Sequence, residues 1–169
     1  MPTNIEIKAR VRDMDRTRRA AVALADGPAR ILEQRDTFFA CARGRLKLRE
    51  FSGGSGELIA YERDDAPGAK ASHYVIAPVP EPGPLRETLA QALGVRGKVT
   101  KRRELHLAGQ TRIHLDTVEG LGTFLELEVV MREGQSAAEG EAIARELMAR
   151  LGVMPEDLVA GAYVDLLNL

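Results

Sequence analysis

Asn4-Ile5-Glu6-Ile7-Lys8-Ala9-Arg10-Val11 alternates polar and apolar residues without a break. A period of two places Glu6, Lys8 and Arg10 on one face of a strand and Ile5, Ile7, Ala9 and Val11 on the other. A strand face that meets water usually mixes Thr, Ser and Gln with its charges, whereas this one carries little but ions beyond Asn4. The pattern returns along the chain. Arg45, Lys47 and Arg49 share one side of a strand, Lys101 and Arg103 share one side of another, and Arg112 sits with His114 and Asp116. Glu126 and Glu128 alternate with Leu125, Leu127 and Val129, and Arg63 closes a further strand. A single such strand fits an ordinary two-layer sheet equally well, with its charged face in water. Repetition, with acid and base segregated by strand, favours a sheet curled into a barrel, charge inside and aliphatic side chains outside under helices.

The segments between these strands complete an α+β pattern. Asp13 is a good N-cap for a helix from Met14 to about Leu24, ended by Asp26-Gly27-Pro28. Strands are expected over 31–39, 45–51 and 57–63, the last two joined as a hairpin by Ser52-Gly53-Gly54-Ser55-Gly56. A strand over 72–79 runs into Pro78-Val79-Pro80-Glu81-Pro82-Gly83-Pro84, read as a loop because proline cannot donate to a ladder. Leu85, Leu89 and Leu93 give a short amphipathic helix closed by Gly94. Strands over 97–107, 111–117 and 123–131 follow, then a helix from Ala137 to Leu151 and a second helical stretch starting at Pro155. About eight strands in two runs, with helices between and after them, predict a largely antiparallel β-barrel in a single domain spanning residues 1–169.

A lumen lined this way calls for an anion. Guanidinium groups pair with phosphate oxygens and ammonium groups add point charge, so a polyphosphate is the natural occupant. Clustered carboxylates suit Mg²⁺ or Mn²⁺, which prefer hard oxygen ligands and commonly bridge protein to phosphate. Composition narrows the alternatives. With 24 basic against 25 acidic residues, the formal charge of -1 gives no general attraction to nucleic acid or membrane. Aromatics make up 4% of the chain and tryptophan is absent, which argues against a base-stacking platform. A carrier of apolar ligands is opposed by the charged faces. The lone Cys41 can form no internal disulfide, and no amino-terminal run has signal-peptide or membrane-spanning character, so a cytoplasmic location is expected.

Several segments, in order, resemble the CYTH superfamily of triphosphate tunnel metalloenzymes, which includes class IV adenylyl cyclases, thiamine triphosphatases and inorganic triphosphatases. They are Asn4 to Lys8, Gln34 to Phe39, Arg45 to Arg49, Glu57 to Arg63, Val99 to Arg103, Arg112 to Asp116, Phe124 to Glu128 and Ala162 to Leu167. The match is nearest to the class IV adenylyl cyclase-like branch. The family's Glu-x-Glu-x-Lys signature is met at Glu6 and Lys8 but has Asn4 at its first position, a neutral amide that adds no negative charge to a metal site. The resemblance implies a triphosphate tunnel in which Glu6, Glu126 and Glu128 hold Mg²⁺ or Mn²⁺. It implies that Lys8, Lys47, Arg49, Arg63, Lys101, Arg103 and Arg112 bind phosphate oxygens, with Arg10 and Arg45 joining them by parity. Glu6, Lys8, Glu126 and Glu128 become the candidate catalytic residues, Lys8 as a base or simply a cation. The expected activity is hydrolysis of a small triphosphate such as ATP, thiamine triphosphate or inorganic triphosphate. Cyclisation of ATP to cyclic AMP and pyrophosphate, or nucleotide binding without turnover, are the alternatives. A homodimer is common among similar proteins, though no segment here compels one.

Bland roles are expected elsewhere. His114 is read as a histidine hydrogen-bonded within a polar face, His73 and His106 as surface or structural, and Cys41 as a small core residue. Asp36 and Gln34 are expected to support the site rather than act in it. Tyr163 and Asp165 are expected to anchor the carboxy-terminal helix.

Overall fold

The computed structural model describes residues 2–168. Eight strands run as β1 (Thr3–Arg10), β2 (Arg30–Phe39), β3 (Arg45–Phe51), β4 (Gly56–Arg63), β5 (Lys70–Val79), β6 (Val95–Ala108), β7 (Thr111–Val118) and β8 (Gly122–Val130). Four helices, α1 (Met14–Leu24), α2 (Pro82–Leu93), α3 (Ala137–Arg150) and α4 (Tyr163–Leu167), and a short 3-10 turn at Pro155–Asp157 complete the chain. The strands close into a barrel in the order β1-β5-β4-β3-β2-β6-β7-β8, every pair antiparallel. Closure leaves no open sheet edge to template aggregation. Among the described residues, no helix is long and apolar enough to cross a membrane.

Two expected elements differ. The proline run does not stay a loop: α2 begins at Pro82, three residues ahead of the Leu85 that opens the predicted helix. Proline is tolerated in a first helical turn because its missing N–H would have no partner there. Past Pro155 the chain makes only one 3-10 turn before α4, too short for the helical stretch expected. Pro78 stays within β5, paired opposite Glu57.

The main core lies outside the barrel wall. Ile5, Ile7 and Ala9 of β1, Ile113 and Leu115 of β7, and Leu125, Leu127 and Val129 of β8 pack against Ala21 of α1 and Ala144 and Leu147 of α3. Gly140 lets α3 approach closely, because an added Cβ would fall 2.5 Å from Met131 Sδ and 2.7 Å from Ile5 Cγ1. Part of the α1 contact is ionic, with Arg18 Nε donating to Glu104 at 3.0 Å. The far side of the barrel is barer, and Val75 and Ile76 of β5 are exposed.

A second apolar cluster closes one end of the barrel. Phe38, Val99, Val118 and Phe124, from the ends of β2, β6, β7 and β8, pack with Val159, Ala162, Tyr163 and Val164. The carboxy-terminal segment reaches them along the part of β1 that β5 leaves unpaired, where Val159 N donates to Lys8 O at 2.9 Å and Leu158 bridges Ala9. Gly161, at φ 80, then turns its carbonyl toward the lumen, a backbone conformation that side-chain-bearing residues rarely adopt.

Candidate functional site

The barrel encloses a cavity of about 690 Å³. Because β-strand side chains alternate, each strand sends every second residue into it. Glu6 and Lys8 enter from β1, Lys47 and Arg49 from β3, Arg63 from β4, Lys101 and Arg103 from β6, Arg112 from β7, and Glu126 and Glu128 from β8. The register brings them together, with Lys8 opposite Glu126, Glu6 opposite Glu128, and Arg112 opposite Glu128.

Arg10 and Arg45 depart from the parity expectation, since neither lines the cavity. Arg10 ends β1 beyond the crossing carboxy-terminal segment and lies exposed, its guanidinium 5.1 Å from the centre of the Phe124 ring. Arg45 is drawn the other way, donating to Asp165 of α4 at 2.6 Å and to Asp65 at 2.9 Å. Its place is in fastening α4 to the barrel.

The basic groups inside are held by carboxylates of the same chain. Arg49 binds Asp36 through two hydrogen bonds of 2.8 Å, and Lys101 Nζ adds a third contact at 3.3 Å. Arg103 forks onto Asp116 at 2.8 and 2.7 Å and reaches Glu126 at 3.5 Å. Arg63 donates to Glu6 at 2.8 Å, and Arg112 to Glu128 at 2.8 Å. Lys8 Nζ donates to the Gly161 carbonyl at 2.9 Å and sits 4.2 Å from the centre of the Tyr163 ring. Tyr163 in turn donates its hydroxyl to Asp116 at 2.8 Å. It thus anchors α4, as expected, and also forms part of the cavity wall.

Burial and crowding set the protonation states. Loss of water pulls the Lys101 ammonium down to about 7, with Arg103 and Arg49 adding repulsion that Asp36 does not offset. Burial likewise lowers Lys8 and Lys47 to about 8. Burial works against the ionised form of Asp36, but Arg49, Lys101 and Lys47 hold it well below its ordinary range. For Glu126, Arg103 and Lys8 outweigh burial in the same way. Glu6 goes up, through burial and then repulsion from Glu128 and Glu126. Burial, followed by Arg103, takes His114 down to about 4, so its ring is neutral at pH 7.

One cluster can accept a divalent cation. Ligand atoms of His114, Glu126 and Glu128 lie within 4.8 Å of one another. His114 Nδ1 and Asn4 Oδ1 are buried without a hydrogen-bond partner among the described residues. Two carboxylates and a neutral nitrogen fit a hard or borderline metal. The cluster shares Glu126 and Glu128 with the set implied by resemblance and adds His114, while Glu6, the third member of that set, accepts through Oε2 from Arg63. Position 114 has the inward parity of Arg112, and that alternation was the available signal. Asp36 and Asp116 were legible in the same way, but their bidentate pairings were not. The Gly161 carbonyl carries no side-chain signal at all. Cys41, expected in the core, is exposed, with Sγ 3.4 Å from the carbonyls of Arg43 and Gly44. His106 is structural as expected, buried beside Glu104 at 3.2 Å.

No curated protein sequence matches the chain. Among solved structures, the PH1012 protein of Pyrococcus horikoshii OT3 is 26% identical, covers 98% of this chain and 99% of its own, and superposes with a TM-score of 0.86. A Vibrio parahaemolyticus protein provisionally assigned as an adenylate cyclase shares the fold at 18% identity, with 98% of each chain covered and a TM-score of 0.79. So does the Hippeastrum protein HpAC1, provisionally assigned as an adenylyl cyclase and described as having a dominant triphosphatase activity. It is 14% identical, covers 98% of this chain and 95% of its own, and has a TM-score of 0.69. The CYTH domain model matches residues 2–163. With an eight-stranded closed barrel, a charged lumen and that match over nearly its whole length, the chain belongs to the CYTH domain family.

Proposed function

We propose that the chain is a metal-dependent triphosphatase that binds an organic or inorganic triphosphate in its barrel and hydrolyses it. The observation that carries this reading is the convergence of Lys8, Lys47, Arg49, Arg63, Lys101, Arg103 and Arg112 on one cavity beside a cation-binding cluster. No neutral or apolar ligand would repay the desolvation of so many buried ions. Membership of the CYTH domain family, and the triphosphatase activity described for the Hippeastrum protein, point the same way.

Each part of the lumen then has a task. Arg49 and Arg103, fixed by bidentate carboxylates, present preset donors to phosphate oxygens. Lys47 and Lys101 add charge that the phosphate chain itself restores, since burial holds both below their ordinary range. Lys8 Nζ, at about 8, can exchange a proton near neutral pH, and the Gly161 carbonyl holds it in place. A Mg²⁺ or Mn²⁺ ion would supply charge stabilisation on the transferring phosphoryl group, held by Glu126 and Glu128. Burial and the closed end limit access of bulk water to the phosphates.

The test is turnover of ATP, GTP, thiamine triphosphate and inorganic triphosphate with Mg²⁺ or Mn²⁺, following orthophosphate, pyrophosphate and cyclic nucleotide separately. Orthophosphate release, abolished by Glu126→Gln and strongly reduced by Lys8→Ala, is the expected result. Pyrophosphate with cyclic AMP would replace hydrolysis by cyclisation. Tight triphosphate binding without any product would make the barrel a binding site.

A further inference from the structure

His114 faces the lumen, and its Nδ1 is buried without a hydrogen-bond partner among the described residues. It is 4% exposed, and Nδ1 stands 3.8 Å from Glu128 Oε1, too far for a hydrogen bond. A hydrogen on Nδ1 would make it a buried donor without an acceptor. A bare Nδ1 turns its lone pair toward a carboxylate. Neither state is favourable in the metal-free protein, and a cation between the two atoms relieves both.

The surrounding carboxylates leave room for that cation. Glu128 gives Oε2 to Arg112 at 2.8 Å, and Glu126 has Oε2 3.5 Å from Arg103, so the other oxygen of each is free to turn to a metal. Glu6 is likewise engaged through one oxygen, by Arg63 at 2.8 Å, but among the described residues the ligand atoms that lie within 4.8 Å of one another are those of His114, Glu126 and Glu128. Asn4 Oδ1, two residues before Glu6 on the same face of β1, and Gln34 Oε1 of β2 are further buried acceptors in the cavity wall without a partner among the described residues.

We propose that His114 is a direct metal ligand through Nδ1, completing a site with Glu126 and Glu128, and that this nitrogen biases the site toward Mn²⁺ over Mg²⁺. Carboxylates alone suit Mg²⁺, Ca²⁺ and Mn²⁺, whereas imidazole nitrogen favours transition ions, and Mg²⁺ binds it poorly. The inference rests on the reading of the lumen as a metal site, and adds a ligand and a selectivity to it.

The experiment uses the full chain with Mn²⁺ as the probe and needs no turnover. Loss of the free-ion signal in electron paramagnetic resonance measures binding. Pulsed measurements on the bound ion then detect directly coordinated nitrogen, and ¹⁵N-histidine labelling identifies it as imidazole. His73 is bonded to Thr3 and His106 faces Glu104, so neither competes for this assignment. The expected result is an imidazole coupling in the wild type that is absent from His114→Asp. That variant keeps an oxygen donor in place, and its Mn²⁺ to Mg²⁺ affinity ratio should fall by about tenfold or more. Bound Mn²⁺ without nitrogen coupling in the wild type overturns the inference and leaves the metal reading intact. Failure to bind Mn²⁺ at all overturns both. The wild-type coupling decides the matter even if the variant does not fold.

Discussion

Triphosphate binding should take up protons, and the amount follows from three lysines. In the free protein Lys101 is held to about 7 and Lys8 and Lys47 to about 8, chiefly by burial. A bound triphosphate places several negative charges among them and drives all three toward full protonation. At about pH 8, Lys101 is largely neutral and Lys8 and Lys47 are about half protonated, so binding takes up about two protons. The linkage then weakens affinity by roughly several thousandfold between about pH 7 and about pH 9. The sign for folding is opposite. A lysine whose folded value lies below its unfolded one binds fewer protons in the native state, so its destabilisation is complete below about pH 7 and fades as the pH rises toward about 10. Affinity should therefore fall over the range in which these lysines make the ligand-free protein more stable. That opposition separates the effect from alkaline unfolding. Isothermal calorimetry of inorganic triphosphate in buffers of different ionisation enthalpy measures the proton count, and thermal unfolding without ligand measures the stability slope. Lys101→Met should remove about one of the two protons at about pH 8. Proton release, or affinity independent of pH, would refute the assignment of these lysines as phosphate contacts.

Arg45→Ala should leave triphosphate affinity within about threefold of wild type while costing about 1–3 kcal/mol in denaturant unfolding, because it frees Asp165 of α4 rather than a ligand contact. Arg103→Met should destabilise the fold by about 3–5 kcal/mol, since it strips Asp116, which is 0% exposed, of both guanidinium bonds. Gly140→Ala should lower the melting temperature despite its gain of about 1 kcal/mol in helix propensity. Its Cβ would sit 2.5 Å from Met131 Sδ, and overpacking of this kind costs about 1–3 kcal/mol.

Strand alternation made the barrel legible because the inner and outer faces differ so sharply in chemistry. From Asn4 to Val11, and again from Phe124 to Val129, the outward residues are apolar and the inward ones are mostly ions, so parity alone assigned most of the cavity wall. Parity failed at strand ends, where the lumen stops. Arg10 and Arg45 share the inward phase but lie where the carboxy-terminal segment crosses, and that crossing depends on contacts between residues more than a hundred positions apart. The proline run was misread for a local reason. Proline's missing N–H, which argues against a strand, costs nothing in a first helical turn. Individual ion pairs were beyond the sequence, because Asp36 could have faced any of several cations and only the closed geometry selects Arg49, Lys101 and Lys47.

Those pairings also sort the carboxylates by what they can do. Asp36 and Asp116 each spend both oxygens on a guanidinium fork, and removing an arginine from either would strand a buried charge. They are poor candidates for a metal and good ones for holding Arg49 and Arg103 at fixed angles before any phosphate arrives. Glu126 and Glu128 are engaged through one oxygen each, and both stand beside a ring nitrogen that has no partner. Glu6 is also engaged through one oxygen, by Arg63, but it lies outside the cluster that His114, Glu126 and Glu128 form. The division is the one expected if the saturated acids orient the cations that receive phosphate, and the half-used pair waits for a cation of its own.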